Sequence, residues 1–250
     1  MIGSGNLVTD FFLDAEGLAP NSYQATMQAL SFVEGLPQFE KIADIGCGTG
    51  QQTSTLYEAT NAQIIAIDFI LEFVEYLKNE AKIQKLDGRI HSILASADNL
   101  PFDNEELDLV WAESVVNEIG FEYALKQWNK YIKKGGYIGL CSYCWLTDDP
   151  PGIIAEYWKN TSKEIEPISC RIKQILNNGF IPVAHFIMPD ECWWNYFCPM
   201  EDNFDRFLEK HPDDFAAKKL IEQIDKEISL FERYGECYGY VFFIGKKVDN

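Results

Sequence analysis

The sequence predicts an α/β fold, a mostly parallel sheet with helices on both faces. Three observations lead there. Short apolar runs alternate with helical spacings from about residue 41 to 180, the pattern of βαβ units. A glycine cluster, Gly46, Gly48 and Gly50, follows the first of those runs. At 250 residues and 47% hydrophobic content the chain can bury a sizeable core.

The elements follow in order. "KIADIG" (41–46) reads as a buried strand, and a helix follows over 51–59. "AQIIAID" (62–68) is a second strand. Ile70, Phe73, Val74, Leu77 and Ala81 then recur at helical spacing. "RIHSILAS" (89–96) and "LDLVWAES" (107–114) are the third and fourth strands. Phe121, Leu125, Trp128 and Ile132 line one face of a helix expected to stop at Gly135-Gly136. "YIGLCSYCW" (137–145) is the fifth strand. A helix over 165–178 precedes a sixth strand, "FIPVAHFIM" (180–188). Asp213 reads as an N-cap for a helix carrying Ile221, Ile224, Ile228 and Phe231, and "YGYVFFIGKK" (238–247) closes the chain. That makes seven strands. We read one domain over 1–250, with a core at about 36–145, N-terminal cap helices within 1–35, and an elaboration at about 145–235 facing the substrate.

The bulk numbers narrow the partners. The formal charge is −18, a surface that repels phosphate backbones and anionic lipid. Nucleic acid and a membrane surface are therefore not expected partners, and a small neutral or cationic ligand fits the field better. No stretch reaches the roughly 18 apolar residues of a membrane span, and no secretory leader is read at the N-terminus. Seven cysteines without a second CxxC or a His pair argue for core thiols in a reducing cytoplasm and against a metal site. "DDPPG" (148–152) has the look of a base-methylating motif, but it follows the fifth strand and ends in glycine where an aromatic is needed.

A glycine-rich strand-to-helix turn lets a ligand approach the backbone closely, because no Cβ stands in the way. Its pattern is G-x-G-x-G. The dinucleotide fingerprint needs a small residue where this chain has Gln51, which counts against a nicotinamide oxidoreductase. The acid two residues before the first glycine, Asp44, is no part of that fingerprint either.

"DIGCGTG" (44–50) resembles the first motif of class I S-adenosylmethionine-dependent methyltransferases, (D/E)-x-G-x-G-x-G. Its companions fall in order: Asp68 ending the second strand, "ASADNLPF" after the third, "LDLVWAESVV" at the fourth, and "KYIKKGGYIGLCSY" leading into the fifth. Within the class the chain is similar to bacterial small-molecule enzymes of the ubiquinone/menaquinone-biosynthesis type. The resemblance implies a Rossmann-like sheet with its last strand antiparallel and a helical insertion before that strand. It implies S-adenosyl-L-methionine as cofactor and in-line methyl transfer to a small acceptor, where positioning and desolvation do most of the work. Asp44, Ile45, Gly46, Cys47, Gly48 and Gly50 would hold the methionine end. Asp68 would clamp the ribose, beside Phe69, or else cap the next helix. Ala97, Asp98 and Asn99 would meet the adenine, or else Asp98 only shapes a turn.

Glu113 is the residue nearest the reacting centre in this reading, touching cofactor or substrate and serving as the first candidate for a base; the bland alternative is a helix-entry acid. Asn117 is a similar case. Tyr143, Trp145, Trp193 and Trp194 suit the mouth of an acceptor site through stacking or cation–π attraction, or else pack a lid or core. His91, His185 and His211 stand at no ligand or triad spacing. A non-catalytic cofactor-binding module is the rival reading, with the helix from about 213 to 233 as a partner or homodimer surface.

Overall fold

The computed structural model describes residues 5–15, 18–161 and 163–248. Of the region expected to carry N-terminal cap helices, 1–35, residues 1–4, 16 and 17 lie outside them. Two helices come first, α1 (Gly5–Ala15) and α2 (Tyr23–Leu30), the second capped by Ser22, whose side chain accepts from the Ala25 amide at 3.0 Å. Then β1 (Lys41–Ile45), α3 (Gln51–Ala59), β2 (Gln63–Asp68), α4 (Leu71–Ile83), β3 (Ile90–Leu94) and β4 (Leu107–Ala112) alternate as expected. α5 (Val116–Ile119) and α6 (Phe121–Trp128) lead to β5 (Ile132–Trp145). α7 (Gly152–Lys159), β6 (Glu166–Pro167), α8 (Ile168–Asn177), β7 (Phe180–Ile187), α9 (Asp190–Lys210), α10 (Phe215–Tyr234) and β8 (Tyr238–Lys247) complete the chain.

The sheet runs β3-β2-β1-β4-β5-β8-β7, with β6 paired to the end of β5. β8 is antiparallel to both neighbours and the other pairings are parallel. The seven expected strands are present in the expected sense. The eighth, β6, is two residues long and leaves no periodicity to read. β1 and β2 are buried along nearly their whole length, as parallel strands covered on both faces must be. The helical insertion before β8 is α9 followed by α10. Their apolar sides pack with α1, α2 and α7 into one large core beside the sheet, while α6 and α8 cover the opposite face.

Three boundaries differ from expectation. The helix from Phe121 ends at Trp128, and Ile132 already belongs to β5, opposite Leu107. Gly135-Gly136 therefore stops no helix. It forms a bulge inside β5, where Leu107 pairs with Ile132 but Leu109 pairs with Tyr137. Gly135 has φ +71°, and a Cβ on Gly136 would lie 2.9 Å from the Asp108 carbonyl, so the bulge requires both glycines. The cap of α10 is Asp214, not Asp213. Asp214 has the extended backbone just outside the first turn, and its Oδ1 accepts from the Ala216 and Ala217 amides at 2.7 and 3.4 Å. The helix expected over 165–178 begins at Ile168, because Glu166 and Pro167 pair with β5.

Candidate functional site

The crevice lies at the C-terminal ends of β1, β2, β4 and β5, the edge at which open α/β sheets take ligands. The turn after β1 is held by the end of β2. Gly46 and Cys47 donate their amides to the Ile67 carbonyl at 2.7 and 3.0 Å. Gly46, Gly48 and Gly50 all have positive φ, so the turn itself demands glycine there. α3 starts directly behind it and aims its free N–H groups at the crevice.

Two carboxylates stand under this turn. Asp44 is fully buried and accepts from the Thr53 hydroxyl, while its Oδ1 has no hydrogen-bond partner. Burial pushes its acid up to about 7, against the pull of Thr53, and the nearby Glu113 and Asp68 charges add to the rise. Glu113 Oε1 accepts from Trp111 Nε1 at 2.8 Å and from the Thr26 hydroxyl at 2.9 Å, while its buried Oε2 has no partner. Burial raises Glu113 as well. Trp111 and Glu113 share a strand face, two residues apart, and Thr26 brings α2 to the same carboxylate.

Asp68 ends β2 and is 7% exposed. Its oxygens accept from the Gly48 amide at 3.0 Å and the Ile70 amide at 2.9 Å, so it braces the glycine turn and the entry to α4 together. Burial raises its acid too. Each oxygen keeps lone-pair capacity for a further donor. Phe69 beside it is 70% exposed, an apolar face open to a flat ligand. Ala97 is pinned through its carbonyl by Trp128 Nε1 at 3.0 Å, and Asp98 and Asn99 stand exposed on that loop. Ile45 and Cys47 are buried in the turn's support.

The candidates farther along divide. Asn117 spends its polar groups within the protein: Nδ2 donates to the Tyr240 hydroxyl (2.9 Å) and the Ser114 carbonyl (3.0 Å), and Oδ1 accepts from Ser142 and the Tyr143 amide. Tyr143 is 3% exposed and packs on Trp158, with ring centroids 4.6 Å apart. Trp193 is buried and stacks on Phe231 at 4.4 Å. Trp194 and Trp145 are half-buried and flank the same core. His185 is exposed on β7 and stacks on Phe243.

Three cavities run in series from the glycine turn. The first, about 20 Å³, touches Gly46, Cys47, Glu113 and Ser114. The second, about 100 Å³, touches Ser114, Asn117, Tyr143, Lys163, Tyr196 and Tyr240. The third, about 680 Å³, opens between α7, α9 and α10 and shares Lys163 and Tyr196 with the second. Leu18 lines all three. Sequence reasoning missed Lys163, Tyr157, Trp158, Tyr196, Glu118 and Glu227. The one legible signal was in β8, where Tyr238, Tyr240 and Phe242 alternate onto a single face.

Comparison with known proteins completes the picture. Residues 43–140 match the family described as "Methyltransferase domain". Phosphoethanolamine N-methyltransferase 1 of Zea mays is 23% identical over 198 residues, covering 78% of this chain and 38% of the relative. The chain spans about two fifths of the length of the curated relatives it matches. Among solved structures, an S-adenosylmethionine-dependent methyltransferase from Geobacter sulfurreducens, in complex with S-adenosyl-L-homocysteine, superposes with a TM-score of 0.83 at 17% identity, covering 99% of this chain and 100% of that one. The [4+2]-cyclase SpnF superposes with a TM-score of 0.77 at 16% identity, covering 98% and 94%. Kinship at that identity speaks for the fold alone.

Proposed function

We propose that this chain, whose residues 43–140 match the family described as "Methyltransferase domain", is a class I S-adenosylmethionine-dependent methyltransferase that binds S-adenosyl-L-methionine at the glycine turn and methylates a small molecule. The single observation that carries the reading is the pair of unpartnered buried carboxylate oxygens, Asp44 Oδ1 and Glu113 Oε2, beside the positive-φ glycines. Buried acceptors left without donors are costly, and a cationic ligand removes that cost. The residues present fit the group.

In this reading the amides of the glycine turn and of the α3 N-terminus receive the ligand's carboxylate. Asp44 and Glu113 attract its ammonium and sulfonium charges. Asp68 accepts from the ribose hydroxyls, Phe69 covers the ring system, and Asp98 and Asn99 border the adenine. Bound there, the cofactor would supply a methyl carried on a sulfonium, open to in-line displacement by an acceptor lone pair. The protein's part is to align acceptor and methyl and to exclude water, worth roughly 7–11 kcal/mol through proximity alone. Glu113, with its raised acid, is the group placed to take the acceptor's proton. If so, Glu113→Gln lowers turnover at least tenfold at saturating cofactor, beyond whatever it costs in cofactor affinity; unchanged turnover at saturation removes the base role. We read 1–250 as one domain, working in the cytoplasm on a small-molecule substrate. No helix among the described residues is long and apolar enough to cross a membrane.

The direct test is calorimetric titration with S-adenosylmethionine and S-adenosylhomocysteine, beside Asp68→Ala. Micromolar binding that the substitution abolishes is the expected result. A folded protein that binds neither ligand overturns the reading. One rival is cofactor binding without methyl transfer; it survives if binding is found and no S-adenosylhomocysteine is ever produced.

A further inference from the structure

A second cavity lies at the other end of the sheet, apart from the methyl-transfer reading. The crevice occupies the C-terminal ends of the parallel strands. At their N-terminal ends, where β5 and β7 begin and the antiparallel β8 finishes, a cavity of about 440 Å³ opens. Its size falls within that of small-molecule sites, roughly 300–1,000 Å³. Lys126, Lys130, Lys134 and Lys247 line it, and Glu105 is the one acid among the lining residues.

This cluster runs against the composition of the chain. Asp and Glu outnumber Lys and Arg by 39 to 21, so an acid is at hand for most cations. Lys41, Lys133, Lys210 and Lys246 each pair with one. Lys126, Lys130 and Lys134 are exposed and enter no ion pair among the described residues. Lys247 is held differently. Its side chain is 12% exposed, and its ammonium donates to the Ile132 and Asn129 carbonyls at 2.7 and 2.9 Å. Those bonds use two of its three N–H groups. Glu105 Oε1 stands 4.0 Å away, beyond hydrogen-bond reach. Burial foremost lowers the Lys247 ammonium, and Lys134 adds to the fall against the opposing pull of Glu105. Even with Asp249, the residue after Val248, set against the four lysines, their charge exceeds that of the two acids by two.

The walls are tied together. The Glu105 amide donates to the Lys130 carbonyl at 2.9 Å, and the Val248 amide to the Gly179 carbonyl at 3.1 Å. Asn129 Nδ2 donates to the Asn178 carbonyl at 2.8 Å. A cavity already ordered loses little freedom when it is filled. The net charge then limits the size of the ligand. A chain at −18 repels extended polyanions, and the lysines govern only within a Debye length, about 8 Å at physiological salt. Nucleic acid and anionic membrane reach far past that range. A compact anion does not.

We propose that this cavity binds a small polyvalent anion, a phosphorylated or polycarboxylate compound with at least two negative charges, on Lys126, Lys130, Lys134 and the remaining N–H of Lys247. A lysine ammonium takes phosphoryl or carboxylate oxygens as a point charge. The convergence of four such charges therefore sets the preference for a multiply charged ligand.

The test uses the full chain and calorimetric titration at neutral pH and constant ionic strength. Pyrophosphate and citrate are the probes, with acetate as the monovalent control. The expected result is saturable binding of pyrophosphate or citrate at one site, at least tenfold tighter than acetate; the tighter probe tells phosphoryl from polycarboxylate ligands. Lys130→Gln/Lys134→Gln should weaken that binding at least tenfold. Lys78→Gln/Lys82→Gln, which removes the same charge from the exposed side of α4, should leave it within twofold. Circular dichroism checks that both variants fold. The proposal is overturned if neither polyanion saturates a site, or if the two double variants lose affinity equally, which would make the effect one of net charge. It is also overturned if an oligoglutamate peptide binds more tightly than both small anions, which would assign the cavity to an acidic protein segment. None of these outcomes bears on cofactor binding at the glycine turn.

Discussion

The two ends of the crevice are built by different means. At the glycine turn the site is made of backbone amides, three positive-φ glycines and carboxylates at strand ends, drawn from residues 44 to 113. At the far end the lining is drawn from α1, α5, β5, α7, α9, α10 and β8, with Leu18 and Lys163 from the loops between helices and strands. A site built from backbone geometry restricts which residues are tolerated and so writes a motif. A site built from residues on seven separate elements asks only that each element arrive, and writes none. The contrast predicts that the two ends respond independently to damage, and each experiment below can break that independence.

The largest effect belongs to the cap. Trp193 is 1% exposed, stacked on Phe231 and edge-on to Tyr238 and Tyr240. Trp193→Ala should cost about 3–5 kcal/mol in denaturant unfolding. In the folded fraction, calorimetry should find cofactor affinity within about twofold of the original, because no group at the glycine turn moves. Loss of cofactor binding by folded Trp193→Ala protein would show that the halves are one unit.

The glycine end carries its own stability signature, in pH. Asp44 sits near 7 when folded, against an ordinary 3.8. A raised carboxyl favours the protonated native state. Its contribution is complete below about pH 4 and is lost as pH rises through 7, a swing on the order of 4 kcal/mol. Asp68 and Glu113 are also raised and add in the same direction. Asp44→Asn should flatten the decline, so that the variant gains on the original protein between pH 4 and pH 8 in urea titrations. Parallel curves for the two proteins would mean that Asp44 is ionised throughout.

Asp68→Ala comes next, at about 100-fold in cofactor affinity, the scale of losing two hydrogen bonds to a charged group. Its loss also frees the Gly48 and Ile70 amides. Acceptor-side cavities should keep their shape, which the fluorescence of Trp158 can report.

The legibility of the chain divides along the same line. Asp44, Asp68 and the three glycines were readable because a turn that needs positive φ admits few residues. Glu113 was readable as the acid at the end of the fourth strand, while its partner Trp111 was not singled out. The end of α6 was misread because Gly135-Gly136 serves a bulge as well as it serves a helix stop, and only pairing with β4 tells them apart. Asp213 and Asp214 are chemically identical neighbours, and the backbone alone selects the cap. Lys163, Tyr196 and Glu227 meet only after α7, α9 and α10 have packed. No local pattern in the sequence places a lone lysine beside a tyrosine 33 positions on, so of that end only Asn117 and Tyr143, which line the second cavity, were among the sequence candidates.

Leu18 reaches along the whole series of cavities, and the smallest prediction rests on it. Its Cδ1 would lie 2.1 Å from a Cβ added to Gly48. Two costs of Gly48→Ala must be separated. The backbone cost arises from φ +54° and amounts to about 1–2 kcal/mol for a residue with a Cβ. The contact cost arises from Leu18, whose methyl is the free end of a flexible side chain and can swing aside. If the halves are independent, the contact cost is small, and Gly48→Ala should lower stability by about 1 kcal/mol whether or not Leu18 has been changed to alanine, with coupling below about 0.5 kcal/mol. A penalty that vanishes in the Leu18→Ala background would mean that the chain at Leu18 is seated rigidly on the glycine turn. Cofactor and acceptor would then be felt by the same strap of chain, and occupancy of one end would change affinity at the other.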